Sequence, residues 1–424
     1  MSSKPILTLS RKVPANASRP AQASHMDTTP SQFLTRYETI VSTLSPVHIG
    51  CGEDYEPTNY VIHDKALHYF GEATLSSVLN DSDRKDLLTL IDSQNALSSI
   101  QSFIYKKRNM ILATGKTRAI PIADSAARTY EQRIGRVAHA GNGAINQLEI
   151  ERTSYHPHAQ LPYLPGSSIK GAIRTALLNS ELQKRTDLHG RQWDKKKAKE
   201  VETDLLGGKF NTDPLRLIKV GDAHYQVREG RPASQIRWQI NKAKKQRDGQ
   251  ETRASMQTLL ECIPEKQGMN FRGQLSLQAN IVHQNKRGES VSPSFEYDIT
   301  ALVNACNNYY LKEWQKERGI IDKLGLVNKG WLEWMDRMLA AEGSFGKLMA
   351  ENNGMLLRVG KHSGAESITL DDIAQIKIMG GRGRQDRYQS DTTTLWLASE
   401  ESNRGNSNGQ LLPFGWIFIQ LKVV

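Results

Sequence analysis

Leu161-Pro162-Tyr163-Leu164-Pro165-Gly166-Ser167-Ser168-Ile169-Lys170-Gly171-Ala172-Ile173-Arg174-Thr175-Ala176-Leu177-Leu178 is the most informative stretch of this 424-residue chain. Pro162 and Pro165 hold the approach extended and disfavour helix at the residues before them. Gly166 permits a tight turn, and Ser167 or Ser168 is expected to cap a helix over 168–182. Ile169, Ile173, Ala176 and Leu177 recur at helical spacing and form one apolar stripe for a core. Lys170 and Arg174 stand one turn apart on another face, near free backbone N–H groups and two hydroxyls. A helix start of this kind is a ready site for a phosphate oxygen. The plainer reading is a serine-capped amphipathic helix whose cations meet only water.

Outward from this helix, strands and helices intersperse without regular alternation, which argues α+β rather than a doubly wound sheet. Strands are expected at 37–44, 147–155, 216–220, 235–240, 259–263, 271–282, 355–359, 393–397 and 416–422. The runs 60–63 and 66–70 read as a hairpin turning on Asp64-Lys65. Between the first strand and this hairpin, Pro46 to Gly52 carries two glycines and reads as a break. Helices are expected within 73–105, at 298–318 and at 330–352. Tyr309, Tyr310, Trp314, Trp331, Trp334 and Phe345 recur there at helical spacing, as core residues do rather than base-stacking platforms. Residues 1–30 read as a disordered tail, and Ser24-His25-Met26 resembles a cloning remnant, which would make Met26 the natural start.

Charge points to a polyanion. The chain holds 56 Lys and Arg against 45 Asp and Glu, a net charge of +11. Four runs, 104–136, 184–199, 231–253 and 377–388, hold more than the whole of this excess, so the remainder is net acidic. Such clustering is the footprint of a nucleic-acid binder, while solvated helix faces are the bland alternative for any one run. No apolar run approaches the roughly 20 residues of a membrane helix. Cys51, Cys262 and Cys306 lie too far apart for a disulfide framework or a CxxC zinc site, so a reducing, cytoplasmic home is expected.

Other motifs carry residues with possible chemistry. Tyr155-His156-Pro157-His158 lacks the wider ligand set that a metal needs. Gly115-Lys116-Thr117 lacks the earlier glycine of a P-loop. Asp371-Asp372 reads as a helix or turn start. No cofactor or metal is expected. His48, between Pro46 and the glycines at 50 and 52, either faces a ligand or is a satisfied turn residue. Arg358-Val359-Gly360-Lys361-His362-Ser363-Gly364 and Met379-Gly380-Gly381-Arg382-Gly383-Arg384 are glycine turns able to follow a phosphate backbone, or plain surface loops.

The proline–glycine–serine turn opening a lysine- and arginine-bearing helix resembles the signature of the RAMP proteins of CRISPR systems. Within them the pattern is similar to the capping subunit of type III-A (Csm) effector complexes. Leu44 to Gly52, Asp213 to Asp222, Leu356 to Gly364 and Leu412-Pro413-Phe414-Gly415-Trp416 support the likeness. The resemblance implies two ferredoxin-like (RRM-like) domains, expected at 31–230, with a basic insertion near 184–200, and at 231–424, with a helical insertion. It also implies a non-catalytic subunit that binds CRISPR RNA, caps the filament at the 3′ side of that RNA and supports its 3′-end maturation. The expected partners are the RNA, the backbone and small subunits, and host ribonucleases that trim the RNA. The RNA-binding candidates are Gly166, Ser167, Ser168, Lys170, Gly171, Arg174, His48, Arg358, Lys361, Arg382 and Arg384. The rival reading is a RAMP endoribonuclease, for which His48 and Asp54 are the candidate acid–base residues.

Overall fold

A computed structural model describes residues 33–93, 96–134, 148–188, 195–207, 209–245, 257–280, 283–284, 286–288, 290–293, 295–371, 373, 375–379, 385–402 and 409–424. The tail at 1–30 and the candidates Arg382 and Arg384 lie outside them. The architecture is α+β, built on two large sheets. In chain order their strands are β1 (Leu34–Thr43), β2 (Gly50–Tyr55), β3 (Ile150–Thr153), β4 (Tyr163–Leu164), β5 (Ile218–Val220), β6 (Ala223–Tyr225) and β7 (Gln235–Ala243). There follow β8 (Gln257–Cys262), β9 (Gln267–Gln278), β10 (Gly354–Arg358), β11 (Thr394–Ser399), β12 (Leu412–Pro413) and β13 (Trp416–Val423). The seven-stranded sheet runs β10-β13-β1-β9-β6-β4, with β5 also on β9, and every pairing in it is antiparallel. The six-stranded sheet runs β12-β11-β7-β8-β3-β2, and only β8 with β3 is parallel. Each sheet draws strands from both the 31–230 and the 231–424 stretches.

The register separates the faces of the seven-stranded sheet. Val41 lies opposite Phe271 and Ile419, and Tyr37 opposite Leu275, so odd-numbered positions of β1, β9 and β13 share one apolar face. Helix α1 (Gly166–Lys184) and helix α2 (Ile299–Lys323) supply apolar side chains to the same core cluster, and both helices touch β10. Ile169, Ile173, Ala176 and Leu177 are all buried, as their spacing requires. Tyr309, Tyr310, Trp314 and Trp331 are buried too, and Tyr310 donates to the carbonyl of Ala172 at 3.1 Å, tying α2 to α1. Helix α3 (Lys329–Leu339) and helix α4 (Ser344–Ala350) follow α2, and the ring of Phe345 stacks on Phe418 of β13 at 4.2 Å. Asp64 and Lys65 have φ of 46° and 60°, the left-handed pair of a tight hairpin between Tyr60–His63 and Ala66–Tyr69. Among the described residues no helix is long and apolar enough to cross a membrane.

Three local expectations are corrected. Helix α1 starts at Gly166 with Pro165 as its N-cap and has no side-chain cap from Ser167 or Ser168. The acceptor comes from elsewhere: the carboxylate of Asp222 takes the Gly166 N–H at 2.7 Å. The break expected over Pro46 to Gly52 ends at Ile49: Gly50 to Tyr55 is already a strand, because it pairs with β3 across an irregularity between Gly50 and Asp54. The strand expected over 216–220 begins as a 3₁₀ turn, Pro214–Leu217, which Asp213 caps through Leu215 N–H at 2.8 Å.

Beneath the six-stranded sheet, the carboxylate of Glu261 is fully buried. It accepts from Arg118 at 2.8 Å, Ser234 at 2.5 Å, Tyr55 at 3.0 Å and the Thr153 N–H at 3.3 Å. Glu261→Ala leaves a largely buried guanidinium and three donors uncompensated, so we expect a loss of about 3–5 kcal/mol. Glu401→Ala, in an exposed pair with Arg128, should leave the unfolding midpoint nearly unchanged. Urea denaturation of the two variants checks this; equal midpoints would contradict a keystone role for Glu261.

Candidate nucleic-acid interface

Three separated sequence stretches meet where the two sheets join. Leu44 N–H donates to Trp416 O at 2.8 Å, and Gly415 N–H to Pro46 O at 2.8 Å. Val359 N–H reaches Gly415 O at 2.9 Å, and Lys361 N–H reaches His48 O at 2.8 Å. Gly360 and Gly415 have φ of +83° and +92°, and a Cβ would collide with the carbonyls of His48 and Val359 respectively. These glycines therefore serve close backbone approach. Arg358 braces the junction from inside. It is buried, donates to Glu317 at 2.6 Å and to Phe414 O at 3.0 Å, and lies over the Trp416 ring. Trp416 Nε1–H completes the set on Glu317 at 2.7 Å.

His48 is also buried. Its Nδ1–H donates to Glu261 O at 2.6 Å, which leaves Nε2 as a lone pair without a donor among the described residues, 3.7 Å from Glu151. Burial lowers its pKa and keeps the ring neutral. Asp54, the other candidate, is exposed on β2 opposite Glu151. Burial would raise the Glu151 carboxyl, but hydrogen bonds from Lys361 and Gln239 outweigh it and hold the group ionised. Lys361 remains partly exposed, and its ammonium pairs with that carboxylate. Beside it the His362 ring stacks on Trp396 at 4.6 Å and meets Gln239 through Nε2.

Arg358, Lys361, His362 and Trp396 border a cleft of about 440 Å³ that also takes in Lys244, Lys316 and Glu366. Its cations are matched by acids: Lys244 with Glu366 at 2.5 Å and Lys316 with Glu313 at 2.6 Å. The cleft thus offers ring surface and balanced ions rather than a bare phosphate pocket. Glu151, Gln239, Trp396 and Lys244 were missed in the sequence; no local motif marks them, since long-range pairing alone brings them here.

The start of α1 is a second surface. Gly166 is packed against the backbone of Val220 and Gly221, where a Cβ would not fit. Ser167 and Gly171 are exposed, and Ser168 is half-buried. Lys170 donates to Ile218 O at 2.8 Å, and burial lowers its pKa. Arg174 lies between Glu202 at 3.2 Å and Asp213 at 3.4 Å. No hydrogen bond or ion pair among the described residues joins this turn to the His48–Lys361 junction. Asp371 ties α1 to α2 through Asn179 at 2.9 Å and Lys312 at 2.7 Å. His156 and His158 lie in an exposed loop, and no group of three or more His, Cys, Asp or Glu among the described residues is placed to hold a metal.

Burial and the neighbouring Lys361 push the pKa of His362 from 6.5 down to about 3. Between those values the unfolded chain binds a proton at this ring that the folded chain does not, so stability falls as pH drops through the window. His362→Phe keeps a ring on Trp396 and removes the proton. Its unfolding free energy should decline less steeply than the wild type's between pH 6.5 and 5; parallel slopes would refute the neutral, buried imidazole.

Over 215 residues the chain is 26% identical to the CRISPR system Cms protein Csm5 of Methanocaldococcus jannaschii, covering 47% of this chain and 46% of the relative. Over 166 residues it is 22% identical to the Csm5 protein of Mycobacterium tuberculosis, covering 36% and 41%. The chain thus spans less than half the length of the curated relatives it matches. A chain of the cryo-EM structure of a Csm–crRNA–target RNA ternary complex in a type III-A CRISPR-Cas system shares the fold, with a TM-score of 0.54 at 16% identity, covering 91% of this chain and 100% of that one. The RAMP superfamily model matches residues 40–329, more than half of the sequence, and the chain belongs to that superfamily.

Proposed function

We propose that this protein is a non-catalytic, RNA-binding subunit of a type III-A CRISPR effector complex. In this reading it caps the filament at the 3′ side of the CRISPR RNA and supports maturation of that RNA's 3′ end. Its partners are the RNA and the backbone and small subunits, with host ribonucleases recruited for trimming, all in the cytoplasm. The two large sheets are the cores of two ferredoxin-like units, each fed by both halves of the chain. The observation that carries the reading is the shared fold with a chain of the RNA-bound Csm complex over nearly the full length of both. Supporting it, the glycine turns at 44–52 and 356–364 meet, leaving Lys361 and the β2 glycines at the surface.

Within this reading Ser167, Gly171 and Lys170 contact the RNA backbone, and Arg174 exchanges its carboxylate partners for phosphate. Arg358 and His48 act from beneath, fixing the turns that present Lys361. An endoribonuclease would need His48 to reach a 2′-hydroxyl, and its ring is sealed under the junction.

The purified protein should bind single-stranded RNA with an affinity that falls steeply with salt, as released counterions dictate. Affinity unchanged between low and high salt would count against it. Lys170→Ala with Arg174→Ala should weaken RNA binding and assembly with the guide RNA while the thermal midpoint moves little. Ile173→Ala, on the buried stripe, should cost roughly 2–5 kcal/mol of stability instead. Normal RNA binding and assembly by the double charge variant would remove the α1 turn from the interface.

A further inference from the structure

The outward face of the seven-stranded sheet is unlike its core face. At the β10 and β13 end it is covered: Phe418 lies under Phe345 of α4, and Ile40 of β1 is buried. Toward β4 it is open, and strand register brings one or two residues from each of six strands into rows across it. Tyr163 of β4 lies opposite His224 of β6, and His224 opposite Arg272 of β9. Four residues along β9, roughly 13 Å, Lys219 of β5 and Arg36 of β1 flank Ser276. Lys422 of β13 sits opposite Glu38, whose carboxylate pairs with Arg272.

His224, Arg272, Lys219, Arg36 and Lys422 are all exposed. Among the described residues, Arg36, Lys219 and Lys422 have no ion-pair partner. The rings form a continuous edge. Tyr163 and His224 stack with centroids 6.1 Å apart at 29°, and His156 meets His224 edge-on at 6.3 Å.

We propose that this open face binds single-stranded RNA, with an unpaired base stacked on His224 and Tyr163 and the adjoining phosphates held by Lys219, Arg36 and Lys422. The proposal rests on the RNA-binding reading above and locates a contact that reading leaves unassigned. Aromatic rings on an open antiparallel sheet, bordered by cations, are what unpaired bases and their backbone require. A protein partner would call for an apolar centre, and the exposed side chains on these rows are charged or polar.

The test uses the full chain and a single-stranded RNA 12-mer carrying fluorescein and one 2-aminopurine. His224→Ala should weaken binding about tenfold, within the range of losing one base–ring stack, and should reduce the quenching of 2-aminopurine. His224→Phe, which keeps a ring, should restore both. Lys219→Ala with Arg36→Ala should lower the slope of log affinity against log salt by about two. Thermal melts check that each variant is folded. If wild type binds and the variants bind alike, this face is not the site and the RNA-binding reading stands. If the wild type binds no RNA, both fall. If the variants bind RNA normally but no longer co-purify with partner subunits, the face docks protein and the proposal is overturned.

Discussion

A carboxylate with no access to water holds the junction together. Glu261 sits on β8, inside the six-stranded sheet, and an ionised group there is tolerable only if its lone pairs are filled. The donors come from Tyr55 at the end of β2, Thr153 on β3, Arg118 on a strand (Arg118–Pro121) that pairs with Ala66–Tyr69 of the hairpin, and Ser234 ahead of β7. One side chain therefore fixes four parts of the chain that are far apart in sequence. Its own backbone carbonyl takes the Nδ1–H of His48, so the same residue sets the position of the turn after β1.

Once His48 is fixed, the junction builds outward by backbone contacts. The His48 carbonyl takes Lys361 N–H, and the approach is so close that only glycine fits at 360. Gly415 repeats the arrangement against Val359. A second buried charge, Arg358 on Glu317 under Trp416, closes the far side. The residues that look most like ligand contacts in the sequence, a histidine and an arginine among glycines, are thus consumed in holding the turns. What remains for a ligand is what they present: Lys361, the exposed β2 glycines and the Trp396–His362 wall of the cleft.

Elements with a local signal were legible in the sequence. The apolar stripe of α1, the Asp64–Lys65 turn and the β-branched run of β1 carry their periods in adjacent residues, and the structure has each of them. Features that depend on distant partners were not. Gly50 and Gly52 read as the end of a break because glycines weaken strand propensity, yet they open a strand held by β3, about a hundred residues away. The α1 start suggests a serine cap, whereas the acceptor is Asp222, 56 residues on. Arg358 looks exposed in a glycine turn until Glu317, 41 residues earlier, is seen beneath it. Tyr163, His224 and Arg272 share no motif at all; only register aligns them.

The same distinction governs charge. Basic runs along the sequence suggest where the positive field lies, but many of their side chains meet acids from elsewhere in the fold. In 104–136, Lys107 pairs with Asp83, Arg118 with Glu261 and Arg128 with Glu401. In 231–253, Arg237 lies between Glu265 and Glu400, and Lys244 pairs with Glu366. Lys377, at the start of the last run, pairs with Asp386. Arg36, Lys219 and Lys422 fall in none of the four runs, yet they are exposed cations on one sheet face without a carboxylate partner among the described residues. A phosphate backbone responds to the charge left after such pairing, at a spacing set by strands about 4.8 Å apart. The attractive surface is therefore assembled by β-pairing from isolated residues, and a count along the chain passes over it.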